Sequence, residues 1–143
     1  MARPIVPVPD PVSQPFWDAC NEGKLIVQYC TMCDRRQFPP EPACRDCGFN
    51  FHLTWQETSG RGAIVGYSIT YDSRLVQWHP KQPFLNVIVA LEEDPVINFH
   101  SNMEEDFGSN LADEPDIPVG ATCEVIFVEA APGRMIPEWK IAT

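Results

Sequence analysis

Six cysteines occur in this 143-residue chain, and four of them stand in two matched pairs: Cys30 with Cys33, and Cys44 with Cys47. Two intervening residues let one tight turn present both sulfurs of a pair to the same ion. A tetrahedral zinc ion is satisfied by four thiolates. The residue after such a turn often needs a left-handed backbone. Gly48 adopts one without steric cost, and Asp34 tolerates it better than most residues. Four sulfurs close the coordination sphere and leave no position for water or substrate, which points to a structural metal and not a catalytic one. The expected ligands are therefore Cys30, Cys33, Cys44 and Cys47, and the expected cofactor is zinc. His52 lies just beyond the second pair as a fifth candidate that a closed set does not need.

Other readings of the four cysteines are two disulfides or four separate buried thiols. Disulfides belong to oxidising compartments. The first residues of the chain hold no apolar stretch of signal-peptide length, so a reducing cytoplasm is expected. Iron is the second choice of metal, but its rubredoxin-type sites space their pairs much further apart. A segment of this size cannot build an adequate core of its own. Structural zinc supplies about 10–16 kcal/mol of apparent binding free energy, and so takes the place of one.

Short elements must hold these sulfurs. Residues 24–29 read as a strand entering the first turn, residues 35–38 as the strand leaving it, and residues 51–58 as the strand leaving the second. Phe38, Pro39 and Pro40 form a stiff extended piece between the pairs. Upstream, residues 13–23 suit a helix of two to three turns, with Ser13 as N-cap, Pro15 in the first turn and Gly23 as the stop. Phe16, Trp17 and Cys20 share one face of it, and a helix this short must dock that face on something. Residues 1–12 are proline-rich (Pro4, Pro7, Pro9, Pro11) and extended, either a disordered tail or an arm lying along a partner. After Gly62 come about five strands and no convincing helix: residues 63–71 with a bulge or bend at Gly66, 84–91, 96–100, 121–128 and 135–141. A long acidic loop fills residues 101–118. Five antiparallel strands with a bend in the first suggest a small closed barrel of OB type. The division expected is an arm and helix over 1–23, a zinc ribbon over 24–57 and the barrel over 58–143.

Composition narrows the function. The formal net charge is −10. Between Lys81 and Arg134 there is no Lys or Arg, while eleven Asp and Glu residues fall there. OB folds often bind single-stranded nucleic acid, and zinc ribbons often sit in transcription and translation proteins, which makes nucleic-acid binding the rival function. A phosphate backbone needs a basic groove, and this stretch would repel it. No apolar run is long enough to span a membrane. No nucleophile elbow, phosphate loop or zincin motif is present, and His79 and His100 have no evident nucleophile partner. This is the profile of a subunit with no catalytic residue of its own.

Several local patterns occur together and in one order: Phe16-Trp17-Asp18, Gly23-Lys24-Leu25, Gln28-Tyr29-Cys30, Gln37-Phe38-Pro39-Pro40, Cys44 to Gly48, Ser59-Gly60-Arg61-Gly62 and Pro137-Glu138-Trp139. In these the chain resembles the zinc-ribbon/OB-fold family known as domain of unknown function thirty-five, from about residue 12 onward. The resemblance implies a mainly β fold with a short N-terminal helix, a rubredoxin-like zinc ribbon and a five-stranded OB-type barrel. It implies a non-catalytic accessory subunit of a thiolase-like acyl-CoA enzyme (thiolase, acyltransferase or retro-aldolase). The partner would carry the catalytic residues, and acyl-CoA would lie at the shared interface. Contact with CoA would fall to Lys24, Arg35 or Arg36. Phe16, Trp17, Tyr29 and Phe38 would face the partner.

Overall fold

The structure, a computed structural model, describes residues 3, 5–104 and 116–142. Residues 105–115 of the acidic loop, with Glu105, Asp106, Asp113 and Glu114, lie outside the described residues, as does Pro4 of the arm.

Helix α1 (Gln14–Asn21) carries Pro15 in its first turn. Ser13 is the N-cap as read, but its hydroxyl does not cap the helix. Ser13 already has helical dihedrals and no side-chain cap bond. The hydroxyl is taken up one turn upstream: the Asp10 carboxylate accepts the Ser13 N–H at 2.7 Å, and the Asp10 N–H donates to Ser13 Oγ at 3.1 Å. The other end closes as read. Gly23 takes φ +76°, Lys24 N–H reaches Ala19 O at 2.9 Å and Gly23 N–H reaches Cys20 O at 3.0 Å, a Schellman stop.

A three-stranded antiparallel sheet follows, with β1 (Ile26–Cys30) between β2 (Arg35–Gln37) and β3 (Leu53–Glu57). The second sheet holds β4 (Arg61–Thr70), β5 (Phe84–Leu91), β6 (Asn98–Asn102), β7 (Thr122–Ala131) and β8 (Arg134–Ile141), in the order β6-β5-β4-β7-β8. All its pairs are antiparallel. The irregularity foreseen near Gly66 is a register shift between Ile64 and Gly66. Gly62 is needed for close approach: a Cβ there would stand 2.4 Å from Ala90 O.

The closed barrel is not formed. Closure requires β6 and β8 to pair, and they are the two edges of an open sheet. Among the described residues they are tied by a side chain, Ser101 Oγ donating to Pro137 O at 2.8 Å. Pro137 supplies the reason. It sits within β8, opposite Phe127 of β7, and has no N–H to offer a strand on its other side.

The core joins both sheets and the helix. Phe16 and Cys20 of α1, Leu25 and Val27 of the ribbon, and Ile64, Val89, Phe99, Cys123 and Trp139 of the large sheet form one buried cluster. Rings link the parts: Phe16 lies 5.2 Å from Phe38, Phe38 4.6 Å from Phe99, and Phe99 5.8 Å from Trp139 between centroids. The aromatic face expected to meet a partner is thus largely consumed within the chain, with Phe16 buried and Trp17, Tyr29 and Phe38 half-buried. The arm is anchored on its own chain at Arg3. Arg3 N–H donates to Ala130 O at 3.0 Å, and the Arg3 guanidinium grips the carboxylate of Glu138 at 2.7 and 2.8 Å, both side chains buried.

Candidate metal centre

The four cysteines converge. Cys30 ends β1, Cys33 follows in the turn to β2, and Cys44 and Cys47 occupy the second turn. Their sulfurs all lie within 4.8 Å of one another. Cys30 to Cys47 and Cys33 to Cys44 are each 3.9 Å apart. Zinc–sulfur bonds of about 2.3 Å at tetrahedral angles place sulfurs about 3.8 Å apart, so this spacing suits such an ion. The left-handed residues are the two expected ones, Asp34 at φ 52° and Gly48 at φ 77°. Tyr29 donates its hydroxyl to the Asp34 carboxylate and steadies that turn.

The electrostatics favour a cation. Cys44 is pulled down to about 7 by backbone N–H groups directed at its sulfur, first that of Cys47 and then that of Asp46. The Asp46 nitrogen stands 3.4 Å away. Cys33 is pushed up to about 12 by loss of solvent and then by the neighbouring sulfurs. Four thiolates packed this closely need a positive ion to answer them.

The loop between the pairs is held by two residues that spacing arguments overlooked, Gln28 and Gln37, both buried. Gln28 accepts the Glu41 N–H at 2.9 Å and donates to Glu41 O at 2.9 Å. Gln37 donates to Gln28 Oε1 at 2.8 Å and to Ala43 O at 3.1 Å, and accepts the Arg45 N–H at 3.0 Å. Two amides thereby satisfy the backbone that leads into the second turn. The signal was there: a glutamine on a short strand beside a proline-rich loop that needs hydrogen-bond partners.

The other candidates lie elsewhere. His52 contributes its backbone carbonyl to Thr31 N–H at 3.0 Å, while its ring packs against Phe51. His79 Nε2 is engaged with Ser73 O at 2.7 Å. The ribbon's cations are answered by carboxylates: Arg35 by Asp46 at 3.2 Å, Arg36 by Asp94 at 3.6 Å, Arg45 by Glu41 at 2.9 Å and Lys24 by Glu22 at 3.8 Å. Cys20 and Cys123 are buried core thiols, pushed up to about 12 and about 11 by burial. Among the described residues no helix is long and apolar enough to cross a membrane.

Comparison with known proteins agrees with this geometry. Residues 17–51 match the family model described as ChsH2, rubredoxin-like zinc ribbon domain. Across 81 residues, 54% of this chain, it is 31% identical to a Thermomonospora curvata protein named "Probable enoyl-CoA hydratase alpha subunit". The chain spans 23% of that relative's length. Among solved structures, a chain of the Ltp2-ChsH2(DUF35) aldolase superposes with a TM-score of 0.79 at 23% identity, over 96% of this chain and 100% of that one. A DUF35-family protein of unknown function from Sulfolobus solfataricus superposes with a TM-score of 0.56 at 17% identity, over 81% of this chain and 78% of that one.

Proposed function

We propose that this chain, whose residues 17–51 match a ChsH2-type zinc ribbon domain, is a non-catalytic accessory subunit of a thiolase-like acyl-CoA enzyme. In this reading Cys30, Cys33, Cys44 and Cys47 hold one structural zinc, and a reducing cytoplasm keeps the sulfurs available. The chain divides into arm and helix (1–23), ribbon (24–57) and sheet (58–143). The observation that carries the reading is the fold shared over 96% of the chain with a component of the Ltp2-ChsH2(DUF35) aldolase. A closed set of four sulfurs agrees with it, because such a site braces a surface and does not turn over substrate.

Part of the apolar surface left outside lies at the ribbon tip. Met32, Phe49 and Phe51 are exposed there, and the rings of Phe49 and Phe51 stand 5.0 Å apart. Patches of this kind mark interfaces. Acyl-CoA at the shared interface would meet Lys24, Arg35 or Arg36 only by displacing their carboxylates, so most of the positive potential falls to the partner. Binding of single-stranded nucleic acid is disfavoured on the same ground.

Co-expression with the thiolase-like partner, size-exclusion chromatography and metal analysis test the proposal. The expected result is a stable complex with one zinc per copy of this chain, and no acyl-CoA turnover by the chain alone. Cys44→Ser should abolish stoichiometric zinc and loosen β1 to β3, seen as fast amide exchange there. A chain that hydrolyses or thiolyses acyl-CoA by itself, with the activity lost on a point change within it, would refute the subunit reading.

A further inference from the structure

A groove of about 800 Å³ runs between the arm, α1, the turn at 38–40 and strands β6 and β8. Its walls are aromatic, with Phe16, Trp17, Phe38, Phe99 and Trp139. Glu138 also lines it, 2% exposed, and Trp139 Nε1 is buried without a hydrogen-bond partner among the described residues. The arm enters this groove from the side. Arg3 makes a two-point contact with Glu138, Pro7 and Val8 form part of the wall, and the Pro7 carbonyl accepts from Arg134 Nη2 at 2.5 Å. In sequence the arm is an arginine followed by prolines at 4, 7, 9 and 11.

An aromatic-lined groove with a carboxylate at one end is suited to extended, proline-rich segments that carry a basic residue. Such segments are already extended before binding and lose little entropy. The guanidinium fork then fixes direction and register on the carboxylate. The chain's own arm meets these requirements only in part. Its arginine is seated, yet Val8 remains 88% exposed and the groove stays open beside it.

We propose that this groove is a docking site for an extended, proline-containing protein segment bearing an arginine, and that the chain's own arm is its intramolecular occupant, displaced when such a segment binds. The inference goes beyond the accessory-subunit reading and is independent of it. Exchange is feasible because it replaces one arginine by another. Glu138 is too deeply buried to be left without a cation at low cost, so a segment lacking that charge cannot compete. Lysine is a poorer substitute, since it lacks the planar fork.

The test uses the full chain and, as probe, a fluorescein-labelled synthetic peptide of residues 1–12, followed by fluorescence anisotropy. The Arg3→Ala chain should bind the probe, and the wild type should bind it at least tenfold more weakly because its own arm competes. A probe carrying Arg3→Lys should bind about tenfold more weakly than the parent probe. One carrying Arg3→Ala should not bind, and a Glu138→Gln chain should bind none of them. Equal binding by wild type and Arg3→Ala overturns the proposal, as does no binding by a folded, metal-loaded Arg3→Ala chain. Wild-type dimers that Arg3→Ala abolishes would make a second copy's arm the occupant and overturn the intramolecular assignment. If Arg3→Ala does not fold, hydrogen–deuterium exchange on the wild type decides. Excess unlabelled probe must speed exchange of the Arg3 amide, which is bonded to Ala130 O, and unchanged exchange refutes displacement.

Discussion

Arg3 and Glu138 form a buried ion pair, but the two residues are not equivalent. Arg3 rides on an arm that is mostly exposed from residue 5 to residue 12, while Glu138 is fixed within β8. Removing Arg3 strands a buried carboxylate, a loss of about 3–5 kcal/mol in comparable pairs. Neutralising Glu138 lets the guanidinium swing into water. Arg3→Ala should therefore lower the chemical-denaturation midpoint clearly more than Glu138→Gln does. Equal losses would show that the arm cannot release its arginine. At this scale the four cysteines were legible because their spacing is local and their chemistry narrow. The Arg3–Glu138 pair was not, since it joins residues 135 positions apart and nothing in a proline-rich arm identifies its acid. Gln28 and Gln37 fall between these cases. Their positions are local, but their role depends on a loop that folds back onto them.

The elements themselves were mostly visible. Apolar runs and turn residues placed the helix and eight strands close to where they lie, and the Gly23 stop and the Gly66 irregularity followed from backbone chemistry. Strand count alone does not decide closure of the sheet; the hydrogen-bonding capacity of the strand at its edge does. Pro137 marks β8 as an edge in the sequence itself. Two glycines give a test of how tightly the elements are fitted. At Gly62 an added Cβ would lie 2.4 Å from Ala90 O and 2.6 Å from Val89 Cγ1, so β4 and β5 would have to separate. Gly62→Ala should cost about 1–3 kcal/mol, as overpacked interiors do. At Gly23 nothing lies within 4 Å, and only the positive φ is penalised. Gly23→Ala should cost about 1 kcal/mol. Urea midpoints of the two variants check the order, and a milder loss at Gly62 would mean the sheet yields there.

The whole molecule shares one core between helix, ribbon and large sheet, and that core contains two titratable groups, Cys20 and Cys123. Burial pushes them from an ordinary value of 9.0 up to about 12 and about 11. Above pH 9 the unfolded chain gives up these protons while the folded chain keeps them, so the unfolded state binds fewer and stability falls as pH rises. The loss is about 1.4 kcal/mol per pH unit for each thiol until the folded value is reached. Denaturation midpoints should drop from pH 9 toward 11, and Cys20→Ala should flatten the slope by about half. An unchanged slope would place the alkaline transition elsewhere. The shared core was the least legible level of organisation, because the ring chain through Phe16, Phe38, Phe99 and Trp139 joins three segments that each read as self-contained.

In the zinc-bound reading proposed above, the four clustered sulfurs also set an order of assembly. All four fall within one short stretch, residues 30–47, whereas the arm's anchor must find a residue 135 positions away. Closing the longer loop costs about 2 kcal/mol more chain entropy by the logarithmic law. A refolding chain should therefore capture its ion while the arm is still free, and should dock Arg3 last. Pulsed amide labelling would show protection at β1 and β3 before protection at Arg3 N–H. In that reading the ion serves, early in synthesis, as a nucleus around which later strands collect.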